Sequence, residues 1–153
     1  MNYSPPKIHA IQVQNRDFIV SKLKTGDMIK VKSEILPIIY HYGIIEKRGE
    51  KTYIYHNQPD KINSKGGGLI IEDIKDFISG RDIISVQKTK MTSGDLSEMY
   101  DALKELKYDF VNFNCEHFIN FASEKKYFSN QVFRWTAITA VALIGLYFLR
   151  KNK

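Results

Sequence analysis

The one cysteine of the chain lies in Asn114-Cys115-Glu116-His117-Phe118, the stretch with most chemistry to offer. Asparagine is a strong N-cap residue. A helix that begins at Asn114 puts Cys115 in its first turn, where unpaired backbone N–H groups and the helix dipole favour a thiolate. A thiolate nucleophile needs an imidazole to take or hold its proton. The chain has four histidines, His9, His41, His56 and His117. His117 is too close to Cys115 on the same helix to face it, so it reads as structural. His9 lies in a basic N-terminal arm with no obvious partner. His41 belongs to Tyr40-His41-Tyr42-Gly43-Ile44-Ile45, and His56 closes Tyr53-Ile54-Tyr55-His56. If these two runs pair through Lys47-Arg48-Gly49-Glu50, the histidines fall roughly opposite each other at the open end of a hairpin. One ring can then face a thiol while the second orients it. The competing reading of Cys115 is a small buried hydrophobe.

The elements that must position these residues read as a mixture of strands and helices. Ile8–Val13 is a candidate strand. Lys24-Thr25-Gly26-Asp27 is a turn, and Met28–Lys32 alternates as a strand should. Ile38–Glu46 and Lys51–His56 are the two strands of the hairpin. Asn57–Gly68 is a polar loop that ends in three glycines. Ile71–Ser79 reads as a short helix stopped by Gly80, and Ile83–Lys88 as a strand. Thr92 or Ser93 caps a helix to about Lys107, with Leu96, Met99, Leu103 and Leu106 along one face. A strand or turn at Tyr108–Phe113 leads to the cysteine helix, which runs to about Lys125.

A lone cysteine excludes an internal disulfide framework and a thiolate-rich zinc site. A Cys-His-His zinc site is a weaker alternative to a Cys-His-His nucleophile. Gly66-Gly67-Gly68 lacks the Lys-Ser/Thr of a phosphate loop and reads as flexible chain. The N-terminal residues show no apolar stretch of the secretory kind, so a reducing cytoplasm is expected.

The chain's 153 residues are one domain's worth, and its net charge is +6. Residues 1–32 hold six Lys/Arg against two Asp, and residues 124–153 hold six against one acid. Residues 33–123 total −3. A nucleic-acid domain carries its positive charge on the folded body, so nucleic acid is not an expected partner. Between Val132 and Leu149 the only charge is Arg134, and Trp135 and Tyr147-Phe148 stand near the two ends. Those eighteen residues span about 27 Å as a helix, close to the hydrocarbon core of a bilayer. Basic residues flank both sides, so the positive-inside rule leaves the orientation open. The ends are suited to hold the domain against anionic lipid.

Four blocks in order carry a resemblance to a known family. They are Gly26-Asp27-Met28-Ile29, His41-Tyr42-Gly43-Ile44, His56, and Tyr108 through Asn114-Cys115-Glu116-His117-Phe118-Ile119. Together they resemble the lecithin:retinol acyltransferase family and its relatives, the H-Ras-like suppressor phospholipase/acyltransferases. Both belong to the NlpC-type, circularly permuted papain-like superfamily. The likeness covers about residues 24–122 and extends to a C-terminal hydrophobic anchor. The cysteine block is its most specific part. Two features depart from the family: the charged, longer hairpin turn, and the loop Asp60–Gly68, near where substrate selectivity would be set.

The resemblance implies an α+β fold, an antiparallel sheet with packed helices, plus a C-terminal hydrophobic helix. It implies an N-terminal arm over 1–23, a catalytic domain over 24–131 and a membrane helix over 132–150. It assigns Cys115 as nucleophile, His41 as general base and His56 as orienting partner, with no cofactor and no metal. The implied activity is a membrane-associated phospholipase A or acyltransferase that forms a thioester on glycerophospholipid esters, with the catalytic domain cytoplasmic. Backbone N–H groups at the start of the cysteine helix would hold the oxyanion. Two alternatives stand beside it, an NlpC-type amide or isopeptide hydrolase and a non-catalytic membrane-tethered interaction module.

Overall fold

Strands form where β-branched and aromatic residues alternate sides, and the helices cover the two faces that result. The computed structural model describes residues 16–32, 40–59, 67–109, 111–124 and 128–151. In chain order the elements are α1 (Arg16–Lys22), β1 (Met28–Lys32), β2 (Tyr40–Arg48), β3 (Lys51–Gln58), β4 (Gly68–Asp73) and α2 (Ile74–Ile78). They continue with β5 (Ile83–Gln87), α3 (Ser93–Leu103), α4 (Cys115–Glu124) and α5 (Asn130–Lys151). The five strands form one antiparallel sheet in the order β4-β3-β2-β1-β5. The architecture is α+β with a C-terminal apolar helix.

Period-two alternation splits the core in two. Met28, Ile44, Tyr55 and Leu69 face α3 and α4, where Leu96, Met99, Phe118 and Ile119 meet them. Ile29, Val31, Ile45 and Ile54 face the other way, toward Ile74, Phe77 and Ile78 of α2. Ile19 and Val20 of α1 join that second cluster. Part of the stretch expected as an arm is therefore a packed helix, too short for its apolar period to stand out.

The turn before β1 forms as expected. Gly26 takes a φ of +88°, and the Asp27 carboxylate accepts from Lys24 N at 2.7 Å. Asp27 is buried and pairs with Lys88. The β2–β3 connection is a two-residue turn at Gly49-Glu50, with Gly49 at a φ of +61°. That φ suits the primed turns that match strand twist.

Several boundaries differ from expectation, β2 and β3 each running two residues further than expected, to Arg48 and Gln58. Ile71, Glu72 and Asp73 complete β4 rather than opening a helix, because Asp73 caps α2 only afterwards, its carboxylate accepting from Lys75 N. The third glycine, Gly68, begins that strand. Helix α3 ends at Leu103, so Leu106 falls outside it and is exposed. The Thr92 cap is present, with Asp95 completing a capping box. The strand expected at Ile8–Val13, the first residues of the one expected from Ile38, and most of the loop Asp60–Gly68 lie outside the described residues.

Helix α5 has 22 residues, about 33 Å in length. Its stretch Val132–Lys151 is long and apolar enough to cross a membrane, and none of that window is buried against the rest of the described chain. Phe133, Ile138, Val141, Leu143 and Leu146 are all exposed. A helix that buries a C-terminal core face would show the opposite.

Candidate functional site

Asn114 starts α4. Its Oδ1 accepts from Glu116 N at 2.9 Å and from His117 N at 3.0 Å, and its Nδ2 donates to Ser129 Oγ at 3.2 Å. Ser129 Oγ in turn donates to Glu116 Oε2 at 2.7 Å, which ties the start of α4 to the approach to α5. The backbone N–H of Asn114 donates to Nδ1 of His117 at 3.3 Å. His117 therefore braces its own helix start, the structural role expected of it.

Cys115 is buried, and its thiol donates to the Tyr40 carbonyl at 3.5 Å. Burial pushes the thiol up to about 12; backbone N–H groups of Tyr42, Cys115 and Glu116 pull it down, while the Glu116 carboxylate pushes it further up. The first-turn position alone would favour a thiolate. Here burial wins, and the sulfur stays protonated.

The two histidines meet, but not as opposite residues. The register pairs Ile44 with Tyr55, which sets His56 across from Gly43 and makes His41 its diagonal neighbour. His41 Nε2 lies 2.9 Å from His56 Nδ1, and His56 Nε2 lies 2.8 Å from Glu72 Oε1. Glu72 is the next diagonal step, on β4. Phe77 closes over both rings, with centroids 5.3 Å from His41 and 4.9 Å from His56.

A carboxylate at one end of this row orders the tautomers. The carboxylate 2.8 Å from His56 Nε2 favours the tautomer that carries its proton on that nitrogen, which leaves Nδ1 to accept. His41 donates from Nε2 and keeps its Nδ1 lone pair. Burial, then His56, then Arg81 hold His41 well below the usual 6.5, so its ring is neutral. Such an imidazole is chemically a base, oriented by a second imidazole and a carboxylate.

Cys115 and His41 are carried by different elements, α4 and β2, and the thiol's hydrogen bond goes to the Tyr40 carbonyl. The histidines project from the sheet face covered by α2, whereas α4 packs on the opposite face. Side chains alternate along β2, so Tyr42 points toward α4 and His41 points away. The thiol nevertheless lies against the strand at Tyr40, immediately before His41. The expected oxyanion donors also change, because Asn114 Oδ1 already occupies the N–H groups of Glu116 and His117.

Glu72 is a member of the row that sequence reading missed. Reading Leu69-Ile70-Ile71 as a strand beside His56 would have brought its carboxylate into the same row. No family model, curated protein or solved structure matches the chain.

Proposed function

We propose that this chain is a membrane-held thiol enzyme that transfers acyl groups from glycerophospholipid esters, built on an NlpC-type permuted papain-like fold. One observation carries the reading. The Cys115 thiol at the start of α4 rests on the backbone beside His41, and His41 heads a row ending in the Glu72 carboxylate. A nucleophile, a base and its two orienting groups are thus gathered about one end of β2.

In the active state His41 keeps its contact with His56 through Nε2 and presents Nδ1 to the thiol at the Tyr40 end of β2. Residues 40–43 of β2 are paired with β1, while pairing with β3 begins only at Ile44. His41 Nδ1 then takes the thiol proton, and the sulfur attacks the ester carbonyl. The Cys115 N–H is the backbone donor left for the oxyanion. Collapse of the adduct breaks the ester C–O bond, and His41 returns the proton to the departing lysolipid oxygen. Water or an acceptor alcohol or amine then cleaves the thioester, its proton passing through His41. α5 keeps the domain at the bilayer and raises the local lipid concentration. We place the catalytic domain on the cytoplasmic side.

The experiment uses the full chain on vesicles of labelled phosphatidylcholine. Wild type releases fatty acid and carries a hydroxylamine-sensitive acyl group, and Cys115→Ala and His41→Gln lose both. Equal release by wild type and Cys115→Ala overturns the proposal.

A second reading is favoured by the thiol itself, buried and pushed up to about 12. In it the chain is a non-catalytic, membrane-tethered interaction module whose cysteine and histidine blocks are core. An acyl-thiol probe that never labels Cys115 on lipid vesicles decides for the module.

A further inference from the structure

A cleft of about 530 Å³ opens between the α4-facing side of β1–β2 and the first turns of α5. Lys30, Tyr40, Tyr42, Glu116, Arg134 and Trp135 line it. We infer that this cleft binds the phosphodiester of a lipid headgroup, held between Lys30 and Arg134. The inference rests on the proposed reading of α5 as a bilayer helix. It goes beyond that reading by assigning the residues that recognise the lipid.

Two cations from distant parts of the chain face one space. Lys30 sits on β1 opposite Tyr42, with its Nζ 3.8 Å from the Tyr40 ring centroid and 5.5 Å from that of Tyr42. The aromatic pair fixes the ammonium at the wall. Arg134 stands near the start of α5, and like charge between it and Lys30 is relieved by an anion between them. The one carboxylate on the lining, Glu116, accepts from Ser129 Oγ and offsets a single positive charge. The three groups sum to +1, the complement of a phosphodiester. Burial first, and Arg134 further, weaken Lys30's hold on its proton, while Glu116 opposes them; a bound anion opposes them too.

Depth distinguishes lipid phosphate from free phosphate. Arg134 and Trp135 are the third and fourth residues of the spanning stretch Val132–Lys151. Tryptophan and basic residues at that level sit among headgroups. Ile138, one turn further along, gives the cleft an apolar wall on the bilayer side. Its volume lies within the roughly 300–1,000 Å³ of small-molecule sites. The Tyr40 residue that lines it also accepts from the Cys115 thiol, so a lipid anchored by its phosphate has its esters near the sulfur.

Trp135 is the one tryptophan of the chain, so its fluorescence reports this cleft. The full chain in a neutral detergent is titrated with phosphatidylglycerol, with diacylglycerol of the same acyl chains, and with inorganic phosphate. Phosphatidylglycerol is expected to give a saturable change that the other two do not. Lys30→Gln and Arg134→Gln each raise the half-saturation point tenfold or more, Lys30→Arg and Arg134→Lys restore most of it, and Lys151→Gln at the far end changes nothing. Equal response to diacylglycerol, or unaltered titrations in both glutamine variants, overturns the proposal. Saturation by inorganic phosphate at the same concentrations overturns the lipid assignment. Cys115→Ala titrates as wild type does, so binding and acyl transfer fail or stand separately.

Discussion

His41 and His56 are diagonal neighbours across β2 and β3, 2.9 Å apart between Nε2 and Nδ1, on the sheet face that Phe77 covers. The buried His41 ring is held neutral, its proton affinity well below the ordinary 6.5. Above 6.5 neither the folded nor the unfolded chain binds a proton there, and His41 adds no pH dependence. Below 6.5 the unfolded chain takes up the proton and the folded chain does not. Stability therefore falls as pH drops, by up to about 1.4 kcal/mol per unit. His117 is lowered too, foremost by burial, and adds the same sign. Thermal melts of the full chain between pH 7.5 and 5.5 should show a declining midpoint, with a smaller decline in His41→Gln. Identical slopes in the two proteins contradict a buried neutral His41.

The thiol gives a second outcome. With Cys115 pushed up to about 12 from an ordinary 9.0, its thiolate fraction at neutral pH falls about a thousandfold. Iodoacetamide should alkylate the detergent-solubilised protein far more slowly than a free cysteine, at a rate that climbs steadily with pH through 9. If lipid turns His41 toward the sulfur, phospholipid vesicles raise the rate at pH 7, and His41→Gln removes the increase. A fast rate in detergent alone would mean that a buried, protonated thiol is not the resting state.

Much of this was legible because it is local. The Thr92 and Asn114 caps, the Gly26 turn and the alternation of Met28–Lys32 depend on neighbours a few residues away. The site was legible in its members but not in its faces. Centring the turn on Gly49-Glu50 rather than on the whole of Lys47-Arg48-Gly49-Glu50 shifts the register by two residues, so Ile44 pairs with Tyr55 and His41 is no longer opposite His56. Only packing against Phe77 on one side and Phe118 on the other decides which face each residue takes. Glu72 was hidden for a related reason, since its partner lies across a strand pair closed by a loop with no pattern of its own.

Gly43 tests that register directly. A Cβ there would run into the γ1 and δ1 carbons of Ile54, which is fully buried. Gly43→Ala should destabilise the chain by about 1–3 kcal/mol through overpacking. Ile54→Ala is destabilising on its own by about 2–5 kcal/mol. Because the two changes share one space, the double variant should lose less than the sum of the singles in urea or thermal unfolding. Strict additivity would place Gly43 against some other side chain and undo the diagonal row of His41, His56 and Glu72.

The last prediction concerns α5, whose exposed apolar surface has no covering element among the described residues. In a bilayer that surface is satisfied by lipid, and an arginine near the helix centre costs about 2.5–3.5 kcal/mol. Val141 and Ile144 lie near the middle of Val132–Lys151, where snorkelling to either interface is longest. Wild type should stay in the membrane pellet through alkaline carbonate extraction. Val141→Arg combined with Ile144→Arg should move most of the protein to the supernatant. Arg134→Gln should leave it in the pellet, because that charge already sits at the headgroup edge. Wild type found wholly in the supernatant would exclude a spanning α5, and with it the supply of phospholipid on which the proposed acyl transfer depends.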